Sequence, residues 1–132
     1  MDLFDSPSQP GYKELVKIRV KGIGADVIIF VFDLFRPCMD ESYINEIRMN
    51  FNSTEKFIYL VGNKCDLYNK MCKNCQENLL KNREKAKMLI NLGIIDKYFE
   101  VSCKTGEGIH ELLNTLKIDS VVSTFINSKI NI

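Results

Sequence analysis

Two kinds of apolar spacing alternate along the chain. Val27-Ile28-Ile29-Phe30-Val31-Phe32 is an unbroken run of β-branched and aromatic residues ending at Asp33, which predicts a strand buried on both faces, as in a parallel sheet. Phe57 to Val61, closed by Gly62, predicts a second such strand, and Tyr98 to Val101, bounded by Ser102, a shorter third. Between the first two, Pro37 breaks the chain and Asp40 is placed to cap a helix whose Ile44, Ile47 and Phe51 recur at helical spacing. Leu79, Ala86, Leu89 and Ile90 predict a helix over 77–92, with Gly93 as a left-handed stop. Ile109, Leu112, Leu113 and Leu116 give a last helical stripe, which Phe125 and Ile126 extend.

Strand and helix alternating in this way, with long crossovers, predict an α/β fold built from right-handed βαβ units on a parallel sheet. Such sheets bind ligands in the loops beyond the carboxyl ends of their strands. The loops to inspect are Asp33 to Pro37, Gly62 to Leu67 and Ser102 to Gly108.

Composition narrows the picture. A chain of 132 residues with 45% hydrophobic and 27% charged positions has the makeup of one globular domain with one modest core. Lys+Arg 18 against Asp+Glu 17 gives a net charge of +1, so no basic surface announces a nucleic-acid partner. Five cysteines, an odd number, argue against a closed disulfide framework and for a reducing, cytoplasmic setting. The longest apolar run, Val27 to Phe32, falls far short of the about 20 residues of a membrane span.

The second loop, Leu60-Val61-Gly62-Asn63-Lys64-Cys65-Asp66-Leu67, resembles the Asn-Lys-x-Asp guanine-specificity box of small GTPases, with wording closest to Rab proteins among the Ras-like families. The chemistry suits the residues. A carboxylate at Asp66 can accept from the N1 and N2 donors of guanine, which adenine lacks, so adenine would leave a buried acceptor unpaired. By the resemblance, Asn63 supports the base edge and the stem of Lys64 packs over one face of the ring. The third loop, Val101-Ser102-Cys103-Lys104-Thr105-Gly106, resembles the family's Ser-Ala-Lys box with Cys103 in place of alanine. That resemblance implies that backbone around Ser102 and Cys103 meets guanine O6 while Lys104 covers the second face. Gly24-Ala25-Asp26 before the first strand, and Asp33 at its end, match the family's entry into and exit from a central strand.

The resemblance runs from about Phe4 to Leu116 and implies a three-layer, P-loop-NTPase-like sheet of Ras type with helices on both faces. Its departures matter as much. No Gly-x-x-x-x-Gly-Lys-[Ser/Thr] occurs in these residues, so no glycine loop cradles phosphates and no adjoining hydroxyl serves magnesium. Asp5-Ser6-Pro7-Ser8-Gln9 resembles the third box, Asp-Thr-Ala-Gly-Gln, but carries Pro7 for alanine and Ser8 for glycine; Gln9, without a phosphate loop, has no water to orient. Phosphoryl transfer depends on positioning and on charges at the phosphate and its metal.

The expectation is therefore one incomplete, N-terminally truncated domain over 1–132, with 1–26 a remnant of the third box and the helix after it and 27–126 a βαβαβα core. It keeps a guanine pocket formed by Asn63, Lys64, Asp66, Ser102, Cys103 and Lys104, binds GTP or GDP weakly through the base, has no magnesium site and no catalytic residue, and does not hydrolyse GTP. In the family's strand order the missing segment would leave Val27 to Phe32 as an open edge, which invites a protein partner or self-association. The alternatives are a nucleotide-independent interaction module, or a fragment of a complete GTPase. The last eight residues carry no cysteine, so no prenyl anchor is expected.

Three further features read as structural. Cys65, Cys72 and Cys75 lack an evident fourth ligand for zinc and read as reduced thiols, in a stretch that looks like an insertion. Lys81 to Lys87 reads as a solvated helix face, and His110 beside Glu111 as ordinary surface chemistry.

Overall fold

The protein is described by a computed structural model over residues 27–37, 41–50 and 57–130, with the backbone alone at 50 and 120–130. The third-box remnant with Asp5, Ser8 and Gln9, the Gly24-Ala25-Asp26 entry, the Asp40 cap and Phe51 lie outside the described residues.

The elements follow the predicted alternation: β1 (Val27–Asp33), α1 (Glu41–Asn50), β2 (Phe57–Asn63), α2 (Lys73–Asn91), β3 (Lys97–Glu100) and α3 (Ile109–Ile130), with a short 3-10 turn at Cys65–Leu67. The strands are parallel in the order β1-β2-β3, with Asp33 opposite Asn63 and Gly62 opposite Glu100, so all three carboxyl ends open on the same side.

Strand geometry sends alternate side chains of β2 to opposite faces. Ile58 and Leu60 pack with Ile44 and Ile47 of α1 and Ala86 and Leu89 of α2. Tyr59 and Val61 pack with Leu112 and Leu116 of α3. Helices thus cover both faces, and the architecture is the three-layer α/β arrangement expected. Each such fully buried aliphatic side chain contributes about 1.5–3 kcal/mol relative to exposure.

Local chemistry closes the elements. α2 ends in a Schellman motif: Gly93 adopts φ +73, its N–H donates to the Ile90 carbonyl, and the Ile94 N–H reaches back to Leu89 at 2.9 Å. The predicted stop at Gly93 is therefore correct. The start is earlier than predicted, at Lys73, because Lys73-Asn74-Cys75-Gln76 carries no apolar stripe for periodicity to register. Arg48, near the end of α1, reaches the Ile94 carbonyl at 3.0 Å and pairs with Asp96, whose carboxylate accepts the Ile58 N–H at 2.7 Å.

Several burial expectations need correction. Val31 is 64% exposed and no residue of β1 is fully buried, because among the described residues β1 pairs only with β2. Ile90 and Leu113 fall on the solvent sides of their helices, at 40% and 42% exposure. Val101 is buried but lies just beyond β3, with its N–H donating to Gly62. The stretch Lys81 to Lys87 is not a plain solvated face: Asn82 and Ala86 are buried, Arg83 pairs with Glu100, and Lys85 pairs with Glu41. Only its remaining residues face water in the way foreseen.

Candidate functional site

The turn after β2 is forced tight. The first residue past the strand, Lys64, takes a left-handed conformation at φ 76, uncommon outside glycine. Asn63 supports it: its Oδ1 accepts the Lys64 N–H at 2.8 Å and, from the other loop, the Cys103 N–H at 3.0 Å. One side-chain oxygen thus staples the two loops together. The Cys65 N–H donates to the Val101 carbonyl at 3.0 Å, and the Ser102 hydroxyl donates to Asp66 Oδ1 at 2.7 Å.

The third loop is as heavily organised. Ser102 is fully buried; its Oγ also accepts the Thr105 N–H at 3.1 Å, its own N–H donates to the Glu107 carbonyl at 2.9 Å, and its carbonyl accepts from Gly106 at 2.8 Å. Gly106 and Gly108 both take positive φ. At Gly108 a Cβ would also lie 2.7 Å from the Glu100 carbonyl, so no other residue fits without moving the strand end.

Asn63, Asp66, Ser102 and Cys103 are therefore joined by direct hydrogen bonds, and Lys64 and Lys104 stand exposed on the two loops. Among the described residues, the Asp66 carboxylate accepts a single side-chain hydrogen bond, that of Ser102. A carboxylate has about four acceptor positions, so most of its capacity is open.

The first loop also belongs to this assembly, through the aspartate that ends the first strand. Asp33 pairs with the Lys64 ammonium at 2.9 Å and with Arg36 at 3.5 Å, and its Oδ1 accepts the Phe35 N–H at 2.9 Å. Burial works to raise its carboxyl, but the Phe35 amide, Lys64 and Arg36 outweigh that and hold it below the ordinary value. A charged residue ending an apolar strand run was the available signal. Over the next three residues of the chain α2 takes over: Asn82 Nδ2 donates to the carbonyls of Leu34 and Arg36, both at 2.9 Å, while Asn78 Nδ2 donates to the Phe35 carbonyl at 3.2 Å.

Glu100, at the end of β3, was unmarked. It accepts from Nε and Nη2 of Arg83, each at 2.8 Å, from the Tyr98 hydroxyl at 2.6 Å, and from the Tyr68 hydroxyl. Burial favours its neutral form, but Arg83 and the two tyrosines prevail and hold it down to about 2. Arg83 and Tyr68 lie 17 and 32 positions away in sequence, beyond any spacing argument. Cys65, the variable residue between Lys64 and Asp66, is 2% exposed and contacts Glu107 at 3.5 Å; burial first, then that carboxylate, push its thiol up to about 11.

A separate cleft of about 610 Å³ lies between the helices, lined by Pro37, Glu41, Asn78, Lys81, Asn82 and Lys85 among others, away from the two loops. Among the described residues no group of three or more His, Cys, Asp or Glu side chains is arranged to hold a metal ion, and no helix is long and apolar enough to cross a membrane. His110 is exposed and contacts Asn114 at 3.1 Å, as surface chemistry would have it.

Residues 1–121 match the model of the Ras family. No curated protein matches the chain significantly.

Proposed function

The chain belongs to the Ras family of small GTPases, and from that premise we propose that its two stapled loops form a guanine-recognition pocket that binds guanine nucleotide weakly, without GTP hydrolysis by these 132 residues. The observation that carries the reading is the Ser102–Asp66 hydrogen bond of 2.7 Å, together with the double acceptance at Asn63 Oδ1.

Ser102 fixes one oxygen of Asp66 and leaves the carboxylate able to accept the N1 and N2 donors of a guanine edge. Adenine offers no such pair, and the unpaired acceptor would cost about 1–3 kcal/mol. Lys64 and Lys104 supply aliphatic stems for the two faces of the ring. The backbone at Ser102 and Cys103 is the donor region for O6, with the Cys103 N–H shared between O6 and Asn63. Hydrolysis is not expected because these residues contain no Gly-x-x-x-x-Gly-Lys-[Ser/Thr] loop, whose backbone, lysine and hydroxyl would hold the phosphates and magnesium. Base contacts alone leave little surplus over the cost of association, so the dissociation constant should be no tighter than about 1 µM.

Titration with fluorescently labelled GDP and ADP tests this. GDP should bind about tenfold tighter than ADP. Equal binding of the two, or none by a folded sample, would overturn it. Phosphate release from GTP should stay at the enzyme-free rate.

A second reading, of a protein-interaction surface, is favoured by one observation: β1 pairs only with β2 among the described residues and presents Val31 at 64% exposure. Val31→Lys should then abolish concentration-dependent association in sedimentation; an unchanged profile would remove that reading.

A further inference from the structure

Cys72 and Cys75 stand apart from the site just described. Cys72 is the N-cap of α2 and Cys75 lies in its first turn, a spacing that brings both side chains to one side of the helix end. Their sulfurs are 3.0 Å apart. Cys72 is exposed and Cys75 is partly buried against the cluster of Leu34, Phe35, Cys65 and Leu79. Among the described residues no other two sulfurs are in hydrogen-bond contact.

We propose that Cys72 and Cys75 are a redox-active dithiol, oxidised by a low-molecular-weight disulfide to a reversible intrachain disulfide at the amino-terminal turn of α2. The chemistry is thiol–disulfide exchange. The Cys72 thiolate attacks one sulfur of the disulfide, forming a mixed disulfide and expelling one thiolate. The Cys75 sulfur, as it loses its proton, attacks the Cys72 sulfur, closes the internal disulfide and expels the second thiolate. The protein loses two electrons and two protons, and both appear in the two small thiols released.

The surroundings set the direction. The neighbouring Cys75 thiol, then the N–H groups of Cys75 and Asn74 at the open helix end, lower the Cys72 thiol, while Cys72 and burial raise Cys75, with Asp33 adding to the effect. The more exposed sulfur is thus the better nucleophile and the recessed one resolves the mixed disulfide. Cys65 is buried, bonded to Glu107 and held neutral, so it does not compete. Cys103 is exposed but has no sulfur partner among the described residues.

The test equilibrates the reduced 132-residue protein with mixtures of reduced and oxidised glutathione, quenches with acid, alkylates free thiols and digests with trypsin. Cleavage after Lys70, Lys73 and Lys81 puts the two cysteines in separate peptides, Met71 to Lys73 and Asn74 to Lys81. At the oxidised end these should appear as one disulfide-linked species, with Cys65 and Cys103 alkylated. Cys75→Ser should instead trap glutathione on Cys72, and Cys72→Ser should slow capture by the remaining thiol about tenfold. Circular dichroism of both serine variants checks that α2 is intact. Separate alkylated or glutathionylated peptides from the wild type, or Cys72 linked to any cysteine other than Cys75 of the same chain, would overturn the proposal.

Discussion

Two carboxylates stand near each other at the carboxyl end of the sheet and are treated in opposite ways. Glu100 is saturated: Arg83 grips it through two nitrogens, and Tyr68 and Tyr98 donate as well. Asp66 accepts from Ser102 alone among the described residues. A half-buried carboxylate with every acceptor filled is a structural tie, in this case between α2, β3 and the turn at Tyr68. A carboxylate fixed by one donor and otherwise open is equipped to meet a ligand. Charge does not tell the two roles apart; the number of filled acceptor positions does.

The largest expected effect falls on the saturated side. Glu100→Ala would strand Arg83 and two tyrosine hydroxyls, at a cost of about 2–3 kcal/mol, moderated because the Arg83 side chain is 41% exposed. Urea unfolding measures it, and a loss below about 0.5 kcal/mol would mean Glu100 is no tie. The same group sets an acid response. Its folded value of about 2 lies below its ordinary 4.5, so its stabilisation is complete above the ordinary value and is lost as pH falls from there toward 2. Glu100→Gln should flatten that part of the stability–pH curve.

Gly62→Ala comes next. Gly62 lies in β2 immediately before Asn63, and a Cβ there would run into the buried Leu34 side chain, for a cost of about 1–3 kcal/mol in thermal or chemical unfolding. Unchanged stability would show that the loop after β1 gives way easily. On the open side, Ser102→Ala should cost about 1 kcal/mol by losing the Asp66 and Thr105 contacts, yet reduce the GDP-over-ADP preference as well. A stability loss with the preference intact would assign Ser102 to the fold alone. Smallest is Lys85→Ala, removing a half-exposed pair with Glu41, at about 0.3–0.5 kcal/mol.

The same contrast explains what was legible beforehand. Strands, helices and the stop at Gly93 were readable because they rest on local apolar spacing and turn chemistry. The two loop motifs stood out in the sequence because Asn63, Lys64 and Asp66 lie within four positions, and Ser102 to Lys104 within three. The closed network did not, because Glu100 meets Arg83 at a sequence separation of 17 and Tyr68 at 32. The pairing of Asp33 with Lys64 escaped for a similar reason: Lys64 belongs to the next strand's loop, and only the parallel register brings them together. The solvated reading of Lys81 to Lys87 failed because charge density says nothing about Asn82 and Ala86, which face inward.

The most direct test exchanges the open carboxylate for a carboxamide. Asp66→Asn replaces one acceptor by a donor, which no longer suits the N2 amine of guanine but complements the carbonyl that xanthine carries at the same position. Competitive titration of both proteins with GDP and xanthosine diphosphate should show wild type preferring GDP, and the variant reversing that order by about tenfold or more. Retention of the wild-type preference by a folded variant would contradict the assignment of Asp66 to the base.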